Sequence, residues 1–178
     1  TILSDGGSTS KSMLDTYVLE PFLNSQGIRR IDYVFVSHAD SDHINGIIGL
    51  IENDADRIGT LMLPQSQSSK KQFEQLLTAA KKKQIPVKWI SKGDVFSLKT
   101  LPDLSFEVLW PSKNEKSDDT NESSLVWRLN YHDFSMLFTG DLPGNCEDEL
   151  VSLKPVTVLK VAHHGSDYST TKTFLQQI

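Results

Sequence analysis

The sequence predicts an α/β fold in which strands and helices alternate along the chain. Runs of β-branched and aromatic residues are separated by segments whose apolar residues recur every three or four positions. Side chains with chemistry in them gather just after the strand-like runs, where layered α/β folds place their sites. The 178 residues, 38% of them hydrophobic, suffice for one well-packed core and fall short of two, so residues 1–178 are expected to form a single domain.

Taken in order, Thr1 to Ser4 reads as a short apolar strand ended by the turn Asp5-Gly6-Gly7. Ser12 to Ser25 is helical in pattern, with Met13, Tyr17, Val18, Phe22 and Leu23 near one face, a kink or new turn at Pro21, and a stop at Gly27. Ile31 to Val36 is β-branched and aromatic, hence a buried strand. Ile44 to Glu52 follows as a helix on the spacing of Ile44, Ile47, Ile48 and Ile51. A short strand at Leu61–Leu63 precedes an amphipathic helix over Ser69–Lys83, with Phe73, Leu76, Leu77 and Ala80 inward and its lysines forming a solvated face.

Three strands are expected at Val87–Ile90, Val95–Leu98 and Leu104–Trp110, then a polar loop over Ser112–Thr120. Leu125–Leu129 and Phe134–Phe138 form a hairpin around Tyr131-His132-Asp133. A helix over Asn145–Leu153 and a strand over Val156–Val161 complete the series.

The net charge of -5 gives no global pull toward nucleic acid or an anionic membrane, although local metal charge could supply what a phosphate needs. The lone cysteine, Cys146, excludes an internal disulfide and reads as a structural thiol. Nothing in residues 1–178 resembles a signal peptide or a span of about 20 apolar residues. The start inside a strand-like run, without an initiator Met, suggests a domain cut from a longer protein.

The densest chemistry is His38-Ala39-Asp40-Ser41-Asp42-His43. Two imidazoles and two carboxylates within six residues, directly after a buried strand, suit zinc, manganese or iron. With 5 His and 15 Asp in the chain, composition alone gives this arrangement at roughly one in a thousand. Thr139-Gly140-Asp141 closes another strand, and a carboxylate there is a candidate ligand bridging two metals. His163-His164-Gly165-Ser166 follows a third. Four of the five histidines thus lie in two strand-end segments, and His132 is given no role.

In this order the segments resemble the metallo-β-lactamase superfamily, and the whole chain resembles the C-terminal hydrolase domain of ComEC-type DNA-internalisation competence proteins. The likeness is carried by Leu3–Gly7, Pro21–Leu23 through Gly27-Ile28, Ser37–His43, Asn121–Val126, Leu137–Asp141 and Leu159–Ser166. It implies an αββα sandwich, two mixed sheets with helices on the outer faces, with edge strands missing before Thr1 and after Ile178. It also implies two divalent ions, manganese or zinc. His38 and Asp40 would hold one, Asp42 and His43 the other, Asp141 would bridge them, and one histidine of the His163-His164 pair, His164 in preference to His163, would complete the second site. His163 would contact phosphate or donate a proton, and Asp5 would orient a ligand histidine.

This chain departs from the superfamily pattern in having Asp40 where a histidine is usual, Asn121 where another histidine serves the first metal, and Asn45 where glycine is common. An amide oxygen binds more weakly than imidazole, which favours manganese at that position. Ser166 and Ser124 are candidate phosphate donors, although serines in such turns are more often caps.

The implied activity is hydrolysis of a phosphodiester, with single-stranded DNA as substrate and a membrane channel as the parent partner, on the extracytoplasmic side of a bacterial plasma membrane in preference to the cytoplasmic one. The DNA expectation comes from resemblance alone, because the chain has no basic stripe with interleaved aromatics. Two alternatives stay open: a hydrolase of small or cell-surface phosphodiesters, of the phosphorylcholine-esterase kind, and a metal-poor binding or scaffold domain.

Overall fold

A computed structural model describes residues 1–69, 71–150 and 153–178. It contains two compact units: one of Thr1–Leu63 with Gln67–Trp89, the other of Pro64–Ser66 with Ile90–Ile178.

The first unit is built on four strands, β1 (Ile2–Ser4), β2 (Ile31–Phe35), β3 (Ile58–Pro64) and β4 (Val87–Ile90), in that spatial order. β1 pairs parallel to β2 with Ser4 opposite Phe35, and β2 pairs parallel to β3 with Phe35 opposite Met62. Parallel strands need crossover connections and are covered on their faces, which is why β2 reads as one apolar run: Ile31, Val34 and Phe35 are fully buried.

The crossovers carry helices α1 (Glu20–Ser25), α2 (Ser41–Asn53) and α3 (Glu74–Lys82). The inward stripe of α2 is Ile44, Ile47, Leu50 and Ile51, and that of α3 is Leu76, Ala79 and Ala80; they share one core with Val34, Leu61 and Phe73. At about 25 cal/mol for each Å² of apolar surface removed from water, each large side chain in it contributes roughly 1.5–3 kcal/mol.

Two helical expectations shift. Over residues 12–25 a π-helical turn, Asp15–Leu19, precedes α1. The wider turn moves the apolar residues out of phase, so Leu23 is buried while Met13, Tyr17 and Phe22 are more than half exposed. Gly27, in the left-handed conformation at φ 66°, ends the segment as expected. α2 begins three residues earlier than its isoleucine spacing suggests, taking Asp42 and His43 into its first turn. α3 is shorter than Ser69–Lys83 and follows a 3₁₀ turn at Lys71–Phe73; Lys70 lies outside the described residues.

The second unit has five strands in the order β5 (Val95–Leu98), β6 (Leu101–Trp110), β7 (Val126–Tyr131), β8 (Phe134–Phe138) and β9 (Val158–Lys160). The first four pair antiparallel and β9 joins β8 in parallel, making a mixed sheet. A two-residue turn, His132-Asp133, closes the β7–β8 hairpin, with His132 at φ 50° as such turns demand. Trp127 stacks on Phe138 with ring centroids 4.0 Å apart and planes 3° from parallel. A second cluster of Trp110, Val126, Leu137, Leu142, Leu150 and Phe174 fills its own core.

The helix expected over Asn145–Leu153 is a single turn, α4 (Gly144–Glu147), and Val151 and Ser152 lie outside the described residues. The strand expected over Val156–Val161 is trimmed to β9. A closing turn, α5 (Lys172–Leu175), had no apolar periodicity long enough to announce it. No helix among the described residues is long and apolar enough to cross a membrane.

Candidate metal centre

Parallel pairing brings the carboxyl ends of β1 and β2 side by side, so Asp5, just past β1, meets Ser37, just past β2. Asp5 N donates to Phe35 O at 2.9 Å, and the Asp5 carboxylate accepts from Ser37 N at 2.7 Å and from Ser37 Oγ at 2.8 Å. The Ser37 hydroxyl lies 2.9 Å from His38 Nδ1 and 3.2 Å from His43 Nδ1, and Asp5 Oδ2 lies 3.0 Å from His43 Nδ1. Since the hydroxyl proton goes to Asp5, Oγ accepts from the His38 ring, and the His43 Nδ1–H faces Asp5 and Ser37. Both imidazoles are thereby assigned the tautomer with Nε2 bearing the lone pair, the form a metal needs.

The Nε2 atoms face carboxylates. His38 Nε2 lies 3.5 Å from Asp40 Oδ2, and His43 Nε2 lies 4.0 Å from Asp42 Oδ2. Donors bound to one ion at about 2.0–2.2 Å are roughly 3–3.5 Å apart, so the first spacing matches a shared cation and the second needs a small side-chain adjustment. His38 and His43 are buried, while Asp40 and Asp42 are 43% and 32% exposed, an arrangement of fixed imidazoles beneath adjustable carboxylates. Imidazole nitrogens with carboxylate oxygens are the donor set of zinc and manganese, and the residues fit such an ion.

The turn after β1 is packed onto the start of α2. Gly6 N donates to His43 O at 2.9 Å, and Ile47 N donates to Gly6 O at 3.0 Å. A Cβ on Gly7 would stand 2.4 Å from the Asp42 carbonyl carbon, so only glycine admits this approach. Asn45, placed where glycine is common, clamps the same turn: its Oδ1 accepts from Ser8 N at 3.0 Å and its Nδ2 donates to Ser8 O at 2.6 Å.

The second unit repeats the device. β8 and β9 are also a parallel pair, and Asp141 and His163-His164 follow their carboxyl ends. Thr139 Oγ1 donates to Lys160 O at 2.7 Å, His163 N donates to Gly140 O at 3.1 Å, and Lys160 Nζ donates to Gly140 O at 3.2 Å. Asp141 is buried, and its backbone N donates to the buried Ser124 Oγ at 3.2 Å. Its Oδ2 lies 3.3 Å from His164 Nε2 and 4.0 Å from His163 Nε2. Both histidines are left-handed, at φ 49° and 53°, a strained backbone found where surrounding contacts over-determine the position.

The remaining candidates lie in turns. The hydrogen bonds of Asn121 stay within its own turn, from its N to Asp119 Oδ1 at 2.9 Å and from Ser124 N to its O at 2.9 Å. Its Oδ1 is buried without a hydrogen-bond partner. Ser166 Oγ accepts from Tyr168 N at 3.3 Å, a turn-capping contact. Exposed His132 lies 3.9 Å from Asp103. The Cys146 thiol is pushed up to about 11 by burial and by Glu122, Glu115, Asp119 and Glu149, which leaves it no nucleophile near neutral pH.

Ser37 and Asn45 are the residues whose orienting work the sequence reading did not assign. The available signal was the position of Ser37 between the strand and the first histidine.

Two sheets with helices, bearing His/Asp clusters beyond the ends of parallel strands, define the metallo-β-lactamase class of fold. The chain belongs to the family described as beta-lactamase superfamily domain, whose match spans residues 2–165; the superfamily is generally hydrolytic and metal-dependent. It is 34% identical over 164 residues to ComE operon protein 3 of Bacillus subtilis (strain 168), covering 90% of this chain and 20% of the relative. It is 31% identical over 164 residues to competence protein ComA of Neisseria gonorrhoeae, covering 89% and 20%. These homologues are of the ComEC type, and the chain spans about a fifth of their length. Among solved structures, the metallo-β-lactamase fold protein YhfI from Bacillus subtilis aligns with a TM-score of 0.57 at 15% identity, over 89% of this chain and 56% of that one. Zn(2+)-bound PqqB from Methylobacterium extorquens aligns at 0.51 and 14%, over 89% and 54%; both likenesses concern the fold alone.

Proposed function

We propose that this chain is the hydrolase domain of a DNA-uptake membrane protein and cleaves phosphodiester bonds in single-stranded DNA with two divalent ions, manganese or zinc. The observation that carries the reading is the Ser37–Asp5 device, which assigns both imidazoles the metal-ready tautomer with Nε2 toward Asp40 and Asp42. The likeness to competence proteins supports DNA as the substrate class, and the extracytoplasmic side is the proposed location.

In this reading the two units act as one domain. His38 and Asp40 would hold one ion, Asp42 and His43 the other, Asp141 would be shared between them and His164 would complete the second site. The shorter of the two histidine distances to Asp141 supports His164 over His163 as the ligand. When bound, the ions lower the pKa of water and neutralise phosphoryl oxygens.

The chain's residues do the rest. Asp42, at the mouth of the first cluster, orients the attacking water. His163, 37% exposed beside Asp141, contacts the phosphate or gives a proton to the leaving oxygen. Asp5 and Ser37 hold the imidazoles against rotation. Asn121 would offer its amide oxygen to the first ion, and Ser166 a hydroxyl to phosphate.

Manganese-loaded protein is expected to degrade single-stranded DNA, with Asp42→Ala lowering the rate at least a thousandfold. Cleavage confined to small phosphodiesters would replace the nuclease reading with a small-substrate phosphodiesterase.

A further inference from the structure

Glu147 is 2% exposed, carries a charge-bearing side chain, and has no part in the metal reading. Its carboxylate is divided between two consecutive backbone donors: Oε1 accepts from Thr170 N at 2.5 Å and Oε2 from Thr171 N at 2.8 Å. Thr170 is itself left-handed, at φ 57°, and its Oγ1 accepts from Ala162 N at 3.2 Å. Ala162 is the residue that leads into His163.

The carboxylate therefore reaches the histidine turn through one intermediary. Packing reinforces it, since Gly144 N donates to Tyr168 O at 2.8 Å and a Cβ on Gly144 would stand 2.7 Å from Thr171 Cγ2. α4 thus lies flush against residues 168–171, with Glu147 at its end.

His163, His164 and Gly165 are three successive left-handed residues, at φ 49°, 53° and 83°. Non-glycine residues hold that conformation only where contacts fix them from more than one side. On the leading side His163 N is bonded to Gly140 O. We propose that Glu147 adds a second hold at Ala162, just before the turn: it is a positioning residue that, through Thr170 Oγ1, holds the His163–His164 turn with both imidazoles toward Asp141. The catalytic meaning of this role rests on the function proposed above, but the structural claim does not. A glutamine at this position would present one carbonyl and one NH₂, leaving one of the two backbone donors facing another donor.

The test compares the wild-type chain with Glu147→Gln and Thr170→Val, the latter removing only the acceptor for Ala162 N. Amide hydrogen exchange on metal-free protein reads the turn directly. Exchange of amides 162–171 is expected to quicken at least tenfold in both variants, while that of the β7–β8 hairpin is unchanged. In manganese-loaded protein, the weaker manganese affinity should fall about tenfold, and kcat on bis(p-nitrophenyl) phosphate should fall with KM retained. The two substitutions together should do little more than Glu147→Gln alone, because they break one path. Unchanged exchange in 162–171, or a rise shared equally by the hairpin, would overturn the positioning role. If Glu147→Gln does not fold, Thr170→Val decides by the same readings. A wild-type chain that binds no manganese would overturn the proposed function while leaving the exchange result to judge Glu147.

Discussion

The Ser37 hydroxyl sits at the centre of three groups: it donates to Asp5 and faces Nδ1 of both His38 and His43. Removing it takes a hydrogen-bond partner from both imidazoles, leaving His43 Nδ1 facing Asp5 Oδ2, and takes one donor from the Asp5 carboxylate, which also accepts from Ser37 N. Partners that orient a ligand histidine are worth about 10–100-fold in metal affinity, and a buried acceptor deprived of a donor costs about 1–3 kcal/mol. Ser37→Ala is therefore expected to weaken manganese binding by about one to two orders of magnitude, measured by calorimetric titration, with a modest loss of thermal stability. An unchanged affinity would mean that the rings are held by packing and that the hydroxyl is incidental. His38 and His43, with ring centroids 4.1 Å apart, do touch, so packing is a real competitor.

At the level of elements, both clusters are made by one arrangement: two adjacent parallel strands, β1 with β2 and β8 with β9, whose carboxyl ends present their loops to each other. The turn after β1 must also pass close over the first turn of α2, and Gly7 permits that approach. Gly7→Ala would press a methyl group against the Asp42 carbonyl, so the backbone carrying Asp42 and His43 has to move. Overpacking of this kind costs about 1–3 kcal/mol, and a chain of this length loses roughly 2–4 °C of melting temperature for each kcal/mol. The variant should melt several degrees lower and bind manganese more weakly; unaltered melting and binding would show that the turn is free to withdraw from α2.

The strands that carry the clusters were legible because β-branched runs end abruptly in polar residues, as Ile31–Val36 does before Ser37. Their pairing was not, since the sequence shows where β1 and β2 stop but not that they lie side by side, and Ser37 acquires its role only from that. The stripe Met13, Tyr17, Phe22 misled because a π-helical turn has a longer period than the one used to read it. Likewise, Glu147 fell inside the helix expected over Asn145–Leu153 with nothing to mark it, and only the return of residues 168–171 beside α4 buries it.

Over the whole molecule, three strand ends, those of β2, β8 and β9, carry the candidate ligands, the end of β1 carries the orienting Asp5, and each unit has an apolar core of its own to hold them steady. The fold and the superfamily belong to this chain, while its nuclease activity and its place in a larger uptake protein are proposals that draw on relatives about five times its length. If these residues form a two-ion centre, the ions can be counted. After loading with manganese and removal of free metal, elemental analysis should find two ions per chain, falling to one or fewer in Asp141→Ala. Less than one ion per wild-type chain would contradict the account and leave a scaffold domain that keeps the superfamily's fold without its metals.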